Sequence, residues 1–142
     1  MDLHQRIANR LRELRDAQGL SLDALAERSQ VSRSAISLIE RGQSSPTAAV
    51  LDRLSSALGV TLASLFEDNA TSAAEPSPVS RAAEQPEWTD PASGYVRRNL
   101  SPAARSPLQL VEVHFPPGER VAYDTGARDA EIHQQVWVIE GT

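Results

Sequence analysis

Three polar side chains in the segment SRSAISLIERG, residues 32–42, could hydrogen-bond to the edges of nucleic-acid bases: Arg33, Ser34 and Ser37. An arginine can bond guanine O6 and N7 together, whereas a serine hydroxyl bonds several base edges less selectively. We predict that these three side chains read bases. The alternative is an ordinary polar helix face, so the choice depends on the element that carries them.

The spacing of apolar residues predicts that this segment is a helix with one buried side. Ala35, Ile36 and Ile39 follow a 3.6-residue period. Ser32 is placed to cap the start of the helix, and Gly42 can adopt the left-handed conformation that ends one. With the isoleucines facing inward, the arginine and the two serines lie on the outer side.

A second short helix is predicted immediately before it. Leu22, Leu25 and Ala26 repeat at helical spacing after Ser21, which is placed as a cap, and the break between the helices falls at residues 29–31. Two helices joined by so brief a turn must cross at a wide angle. This is the helix-turn-helix arrangement, whose second helix can enter a DNA major groove.

On these features residues 1–68 resemble the lambda-repressor-like, Xre/Cro-type DNA-binding domain. The segments that carry the resemblance are Gly19-Leu20-Ser21, Leu25-Ala26, Val31-Ser32, Ile36-Ser37, Ile39-Glu40-Arg41-Gly42, Pro46, Leu58-Gly59-Val60 and Leu65-Phe66. The resemblance implies a five-helix domain in which the helix at residues 32–41 reads the operator, double-stranded DNA. It also implies a homodimer, with half-sites about 34–36 Å apart.

The same resemblance implies roles for further residues. Phosphate contacts are expected at four positions, Ser21, Arg41, Gln43 and Ser44. Arg15 is expected to pair with Glu40 and to tie the first helix to the recognition helix, a structural role. Two positions depart from the family pattern: Leu22 stands where glutamine often contacts DNA, and Gln30 stands where the turn usually has glycine.

The helices on either side are predicted from similar patterns. Apolar residues at Leu3, Ile7, Leu11 and Leu14 predict a first helix over residues 3–17. A fourth helix follows Thr47 and a last short helix follows Thr61, because each threonine is placed as an N-cap.

The composition limits how DNA could be bound and where the protein works. The net charge is −5, all 14 basic residues are arginine, and residues 1–68 carry eight arginines against nine acidic residues. Non-specific affinity from counterion release should therefore be weak. The chain has no cysteine, no apolar run long enough to span a membrane and no apolar core near its start typical of a signal peptide. A cytoplasmic location is expected.

The remainder of the chain predicts a linker and a partial β domain, making an α+β protein in two parts. Residues 69–93 are rich in Ala, Ser, Pro and Glu, which is typical of a flexible linker. Trp88 within it either docks on a neighbouring domain or stays exposed. In residues 94–142, strands are predicted at three places, 95–98, 108–115 and 135–139.

The sequence EIHQQVWVIEG, after the turn PPGE, resembles the first motif of cupins, small β-barrels that hold metals or small ligands. The resemblance implies an antiparallel, effector-sensing region for a small molecule. The second cupin motif is absent, so we expect an incomplete barrel.

Asp129, Glu131 and His133 alternate along one face of a potential strand and could in principle bind a divalent ion. The cupin resemblance instead puts the metal-ligand positions at Gln134 and near Arg128 and Ala130, which are not suited to the role. We therefore predict no metal, no cofactor and no enzymatic activity. The favoured function is a transcriptional regulator, more specifically a repressor. The alternatives are a metal-dependent cupin enzyme with an accessory helical domain and an antitoxin-like module that binds another protein.

Overall fold

The structure is a computed structural model that describes residues 3–66, 77–102, 107–123, 131 and 133–142. Within these residues, four α-helices come first: α1 (Leu3–Ala17), α2 (Leu22–Ser29), α3 (Arg33–Glu40) and α4 (Ala48–Ala57). Two 3-10 helices follow, Leu62–Phe66 and Ala82–Glu84, and then three strands, β1 (Glu87–Thr89), β2 (Val96–Asn99) and β3 (Val111–His114). The two-part α+β organisation is confirmed.

The helices begin at the residues that the sequence predicts as caps. The hydroxyl of Ser21 accepts the backbone N–H of Ala24, that of Ser32 accepts the N–H of Ala35, and that of Thr47 accepts the N–H of Val50. Each bond satisfies one of the amide groups that the first turn of a helix leaves without a partner. Local sequence signals therefore fix where α2, α3 and α4 start.

The predicted fifth α-helix is a 3-10 helix instead. Leu62–Phe66 is only five residues long, and Ser64 N–H bonds back to the carbonyl of Thr61, three residues earlier. A segment this short commonly forms 3-10 rather than α-helical bonds. It still closes the core, because Leu65 and Phe66 are buried. Arg10 of α1 donates its Nε–H to the carbonyl of Ser64 at 3.2 Å and ties α1 to this segment.

The helices and the later part of the chain share one hydrophobic core. Trp88 is 2% exposed, and its ring lies 5.7 Å from that of Phe66 and 5.7 Å from that of Tyr95, measured between centroids. Tyr95 in turn stacks on Phe115 at 4.9 Å. Of the two alternatives for Trp88, docking is the one observed. Part of the segment with linker-like composition is therefore a strand that packs on the helical core.

The sheet is antiparallel in the order β1-β2-β3. Arg97 of β2 lies opposite Trp88 on one side and Val113 on the other. The strands predicted at 95–98 and 108–115 are present in shortened or shifted form as β2 and β3.

The strand predicted at residues 135–139 is wrong. These residues form no strand, and four of them are strongly exposed: Val136, Trp137, Val138 and Ile139. A β-strand is stable only when a neighbouring strand pairs with it, and a high β-propensity does not provide that second strand. The three strands of the described residues do not form a barrel, and the cupin-like barrel stays a prediction. No helix in the described part of the chain could cross a membrane by its length and apolar character.

Candidate nucleic-acid interface

The turn between α2 and α3 is held by local hydrogen bonds. Gln30 has a φ of 56°, the left-handed conformation that the family pattern reserves for glycine. Its side-chain amide donates to the carbonyl of Glu27 at 2.8 Å, and the buried hydroxyl of Ser29 accepts the N–H of Val31 at 3.3 Å. These bonds support a non-glycine residue in a conformation that costs some free energy. The turn therefore stays short although Gln30 stands where the family usually has glycine.

The inner side of α3 anchors the helix in the core. Ile36 is 0% exposed and Ile39 is 3% exposed, as the periodicity predicts. Val31, immediately before the cap, is also buried. With its apolar side fixed, α3 has a defined rotation about its own axis, and its outer residues have a defined direction.

The outer side of α3 faces solvent. Arg33 and Ser34 are exposed and Ser37 is partly exposed, so the protein's own packing buries none of the three. The Ser34 hydroxyl lies 3.2 Å from that of Ser32. The placement is compatible with base contacts, and the base-reading roles of these residues stay a prediction.

Arg33 has an acidic neighbour on the preceding helix. Its Nε lies 3.2 Å from Oδ1 of Asp23, and the two side chains are 63% and 77% exposed. Both residues belong to the first turns of their helices, because α2 begins at Leu22 and α3 begins at Arg33. The periodic pattern does not reveal this pair. The pair could have been predicted from the motif, because the first turns of the two helices lie close together in space.

The four residues predicted to contact phosphates lie at the two ends of the motif. Ser21 precedes α2, while Arg41, Gln43 and Ser44 follow α3, and all four are exposed. Arg41 Nε donates to the carbonyl of Ser37 at 3.1 Å, which keeps the guanidinium close to the end of α3. These residues are accessible to a ligand, and their phosphate contacts stay a prediction.

Gly42 is required where α3 ends. Its φ is +67°, and a Cβ atom at this position would lie 2.7 Å from Oε1 of Gln5. The positive φ strains any other residue at this position, whereas the exposed Gln5 side chain could move away from an added Cβ atom. The glycine sets the direction of the chain that carries Gln43 and Ser44 away from α3.

Arg15 and Glu40 form a bidentate ion pair between α1 and the last residue of α3. Arg15 Nε lies 2.7 Å from Glu40 Oε1, and Nη2 lies 3.0 Å from Oε2. Nη1 donates to the carbonyl of Leu20 at 2.8 Å. The side chains are only 12% and 8% exposed. The hydrogen bond to Glu40 raises the pKa of Arg15, and this effect exceeds the opposing effect of burial. The geometry suits the structural role, and the pair is too enclosed to read bases.

The metal candidates that belong to the described residues do not form a metal site. Asp129 lies outside the described residues, as do Arg128 and Ala130. Glu131 and His133 are exposed and approach each other at 3.3 Å. Gln134 is exposed as well. Among the described residues, no group of three His, Cys, Asp or Glu side chains could hold a metal ion.

The geometry of α2 and α3 agrees with a family match. Residues 11–65 match the helix-turn-helix family model HTH_3. The N-terminal part of the chain contains a helix-turn-helix domain. The matched residues include α2, α3 and α4 together with the 3-10 helix up to Leu65.

Known proteins resemble the same part of the chain. The HTH-type transcriptional regulator DdrOP3 of Deinococcus deserti is 39% identical over 62 residues, which cover 44% of this chain and 48% of that protein. The chain thus spans about half the length of this curated relative.

Two solved structures are also similar. The restriction-modification controller protein C.AhdI of Aeromonas hydrophila is 38% identical, with coverage of 44% of this chain and 96% of that chain and a TM-score of 0.44. An HTH_3 family transcriptional regulator from Vibrio cholerae is 31% identical, with coverage of 68% and 57% and a TM-score of 0.46.

Proposed function

We propose that this protein is a DNA-binding transcriptional regulator whose helix α3 enters the major groove of an operator. The observation that carries the proposal is the two-sided character of α3. Its apolar side is fixed by the buried Ile36 and Ile39, and its other side presents Arg33 and Ser34 to solvent. The helix-turn-helix match and the relative named as a transcriptional regulator support the same function.

Base recognition would rest on the outer side of α3. Arg33 is the first residue of the helix, and the N-terminal residues of a recognition helix are the ones that contact base edges. Its guanidinium would bond guanine, whereas Ser34 and Ser37 would contact base edges less selectively. Specificity should therefore depend most on Arg33.

Phosphate contacts would hold the domain in register on the duplex. Ser21 lies before α2, and Arg41, Gln43 and Ser44 lie after α3, so the two groups lie at the two ends of the helix-turn-helix motif. Such contacts position a protein without reading sequence. Because the chain is acidic overall, they would supply most of the attraction to DNA.

The regulator would act as a homodimer and as a repressor. A dimer would place two copies of α3 on half-sites about 34–36 Å apart, which is one turn of DNA. Sedimentation equilibrium of the full chain, alone and with operator DNA, tests the stoichiometry. Repression is tested with a reporter gene under the selected operator, where expression should fall when the protein is present.

The cupin-like region would respond to a small molecule. Tyr95 of this region packs on Trp88 and Trp88 packs on Phe66, so the region contacts the helical core. An effector would change DNA affinity only if it favours one of two arrangements of these parts. The absence of any such ligand in a screen by thermal shift would argue against this part of the proposal.

The decisive experiment measures Arg33→Ala on an operator selected from a random DNA pool and on a scrambled version. We expect a loss of about 1–3 kcal/mol on the operator and a much smaller loss on the scrambled DNA. Arg12→Ala is the matched control, because Arg12 is an exposed arginine on α1. Equal losses on both DNAs would reject base reading by Arg33.

Arg41→Ala tests the phosphate contact separately. Affinity should fall on operator and scrambled DNA alike, and the slope of log affinity against log salt should become shallower by about 1. An unchanged slope would count against a phosphate contact by Arg41.

A further inference from the structure

Asp23 is an acidic residue placed where a DNA-binding surface would be expected to avoid negative charge. It is the second residue of α2 and lies two positions after Ser21, one of the proposed phosphate contacts. Its Oδ1 lies 3.2 Å from Arg33 Nε, and the carboxylate is 77% exposed. A negative charge so close to a phosphate backbone would reduce affinity for DNA of any sequence. Its place in the first turn of α2, where a negative charge is favourable, offsets part of this cost.

The contact with Arg33 indicates a role for Asp23. The carboxylate approaches Nε, the guanidinium nitrogen nearest the aliphatic chain. The two terminal nitrogens can form the parallel bonds to guanine O6 and N7. A carboxylate at Nε therefore restrains the direction of the arginine without occupying the atoms that would bond the base. Because the guanidinium is a flat group with fixed donor directions, such a restraint selects a narrow range of base positions.

We infer that Asp23 is a positioning residue for base readout, which holds Arg33 toward a guanine and disfavours DNA that lacks one at that position. The inference rests on the proposed function. When the guanine is present, Arg33 bonds it and keeps its contact with Asp23. When it is absent, the restrained guanidinium finds no pair of acceptors on the base, so the wrong sequence is bound less well.

Specificity arises in this way from both residues together. The ligand class is a duplex with a guanine in each half-site, read through its major-groove edge by the first residue of α3. An adenine at that position offers N7 but replaces the O6 acceptor with an amino group, so an arginine fork would lose one of its bonds.

The test measures the ratio of the dissociation constant on scrambled DNA to that on the operator. Asp23→Asn removes the charge and keeps the shape of the side chain. We expect this ratio to fall by about two- to fivefold, the range that an exposed ion pair supports. Glu27→Gln is the matched control, because it removes the same charge from an exposed position one turn further along α2. It should leave the ratio unchanged.

A double variant shows whether Asp23 acts through Arg33. In the Arg33→Ala background, Asp23→Asn should no longer change the ratio. The inference is overturned if Asp23→Asn leaves the ratio unchanged in the wild-type background. It is also overturned if the same fall appears without Arg33.

The two proposals fail in distinguishable ways. If Arg33→Ala itself leaves the ratio unchanged, base reading by Arg33 is wrong, and with it the basis of the inference. If Arg33→Ala lowers the ratio and Asp23→Asn does not, only the role of Asp23 is wrong. Replacing the guanine by 7-deazaguanine, which lacks N7, supplies a third measurement. The operator affinity of the wild-type protein should fall, and that of Arg33→Ala should not.

Discussion

Asp90 closes the first turn of α4 although it lies 42 residues further along the chain than Ala48, whose backbone N–H it accepts at 2.9 Å. The other carboxylate oxygen accepts the N–H of Ser93 at 3.0 Å and its hydroxyl at 2.6 Å. Asp90 is only 2% exposed. A residue next to β1 thereby completes the cap of the helix that follows α3, and a negative charge at a helix N-terminus is favourable.

Replacing Asp90 should destabilise the whole chain. Asp90→Ala leaves buried N–H and hydroxyl groups of Ala48 and Ser93 without an acceptor, so the free energy of unfolding should fall by about 1–3 kcal/mol. Asp90→Asn keeps one acceptor oxygen and should cost less. Urea denaturation followed by circular dichroism measures both variants. A change below about 0.5 kcal/mol for Asp90→Ala, the size of an ordinary surface substitution, would contradict the prediction.

The same residue predicts how stability depends on pH. Burial disfavours the charged form of Asp90, but hydrogen bonds from Ser93 and Ala48 outweigh it, so the pKa of Asp90 is lowered. The folded state therefore favours the ionised form more than the unfolded state does, whose aspartate pKa is about 3.9. The stabilisation is fully present above that value and is lost as the pH falls through the folded-state pKa.

The measurement is the difference in unfolding free energy between the wild type and Asp90→Asn at a series of pH values. This difference should be constant above about pH 5 and should shrink below about pH 4. A difference that stays constant down to low pH would mean that the charge of Asp90 does not contribute.

The parts of the fold that were predictable are those encoded locally. The caps at Ser21, Ser32 and Thr47 each act on an amide three residues away, and the buried Ile36 and Ile39 lie one turn apart. Such signals can be recognised within a short window of sequence. The exposed side of α3 was predictable for the same reason, because it consists of the residues that do not belong to the buried apolar side.

The parts that could not be predicted depend on residues far apart in sequence. Nothing near Asp90 indicates that it caps α4, and nothing near Trp88 indicates that Phe66 is its partner. The run at residues 135–139 has strong β-propensity but pairs with no strand among the described residues, so its sequence pattern alone predicted too much structure. The contact of Asp23 with Arg33 lies between these two cases, because it can be predicted only after both helices have been placed.

The Arg15–Glu40 pair should contribute more to stability than an exposed ion pair. Because both side chains are nearly enclosed, Arg15→Ala leaves the Glu40 carboxylate without its bidentate partner, and Glu40→Ala does the reverse. Each should lower the free energy of unfolding by more than about 1 kcal/mol, the upper value for exposed pairs.

A double-mutant cycle with both substitutions isolates the interaction energy of the pair. Arg12→Ala serves as control, since Arg12 approaches Asp16 at 3.8 Å and both side chains are more than half exposed. Additive effects of Arg15→Ala and Glu40→Ala in the cycle would show that the two residues act independently.

The two tryptophans of the chain make a matched pair for testing whether the sheet and the helices share a core. Trp88 is 2% exposed and Trp137 is 82% exposed. Trp88→Ala should lower the free energy of unfolding by about 3–5 kcal/mol, because it leaves a large cavity between Phe66 and Tyr95. Trp137→Ala should change it by no more than about 0.5 kcal/mol.

Trp137→Ala also leaves Trp88 as the sole tryptophan, so its fluorescence reports on that core alone. In this variant the emission should be that of a buried indole. It should change in a single transition at the same urea concentration as the helical circular dichroism signal. Two separate transitions would mean that the sheet and the helix-turn-helix domain unfold independently. The contact between Trp88 and Phe66 would then not couple an effector to α3.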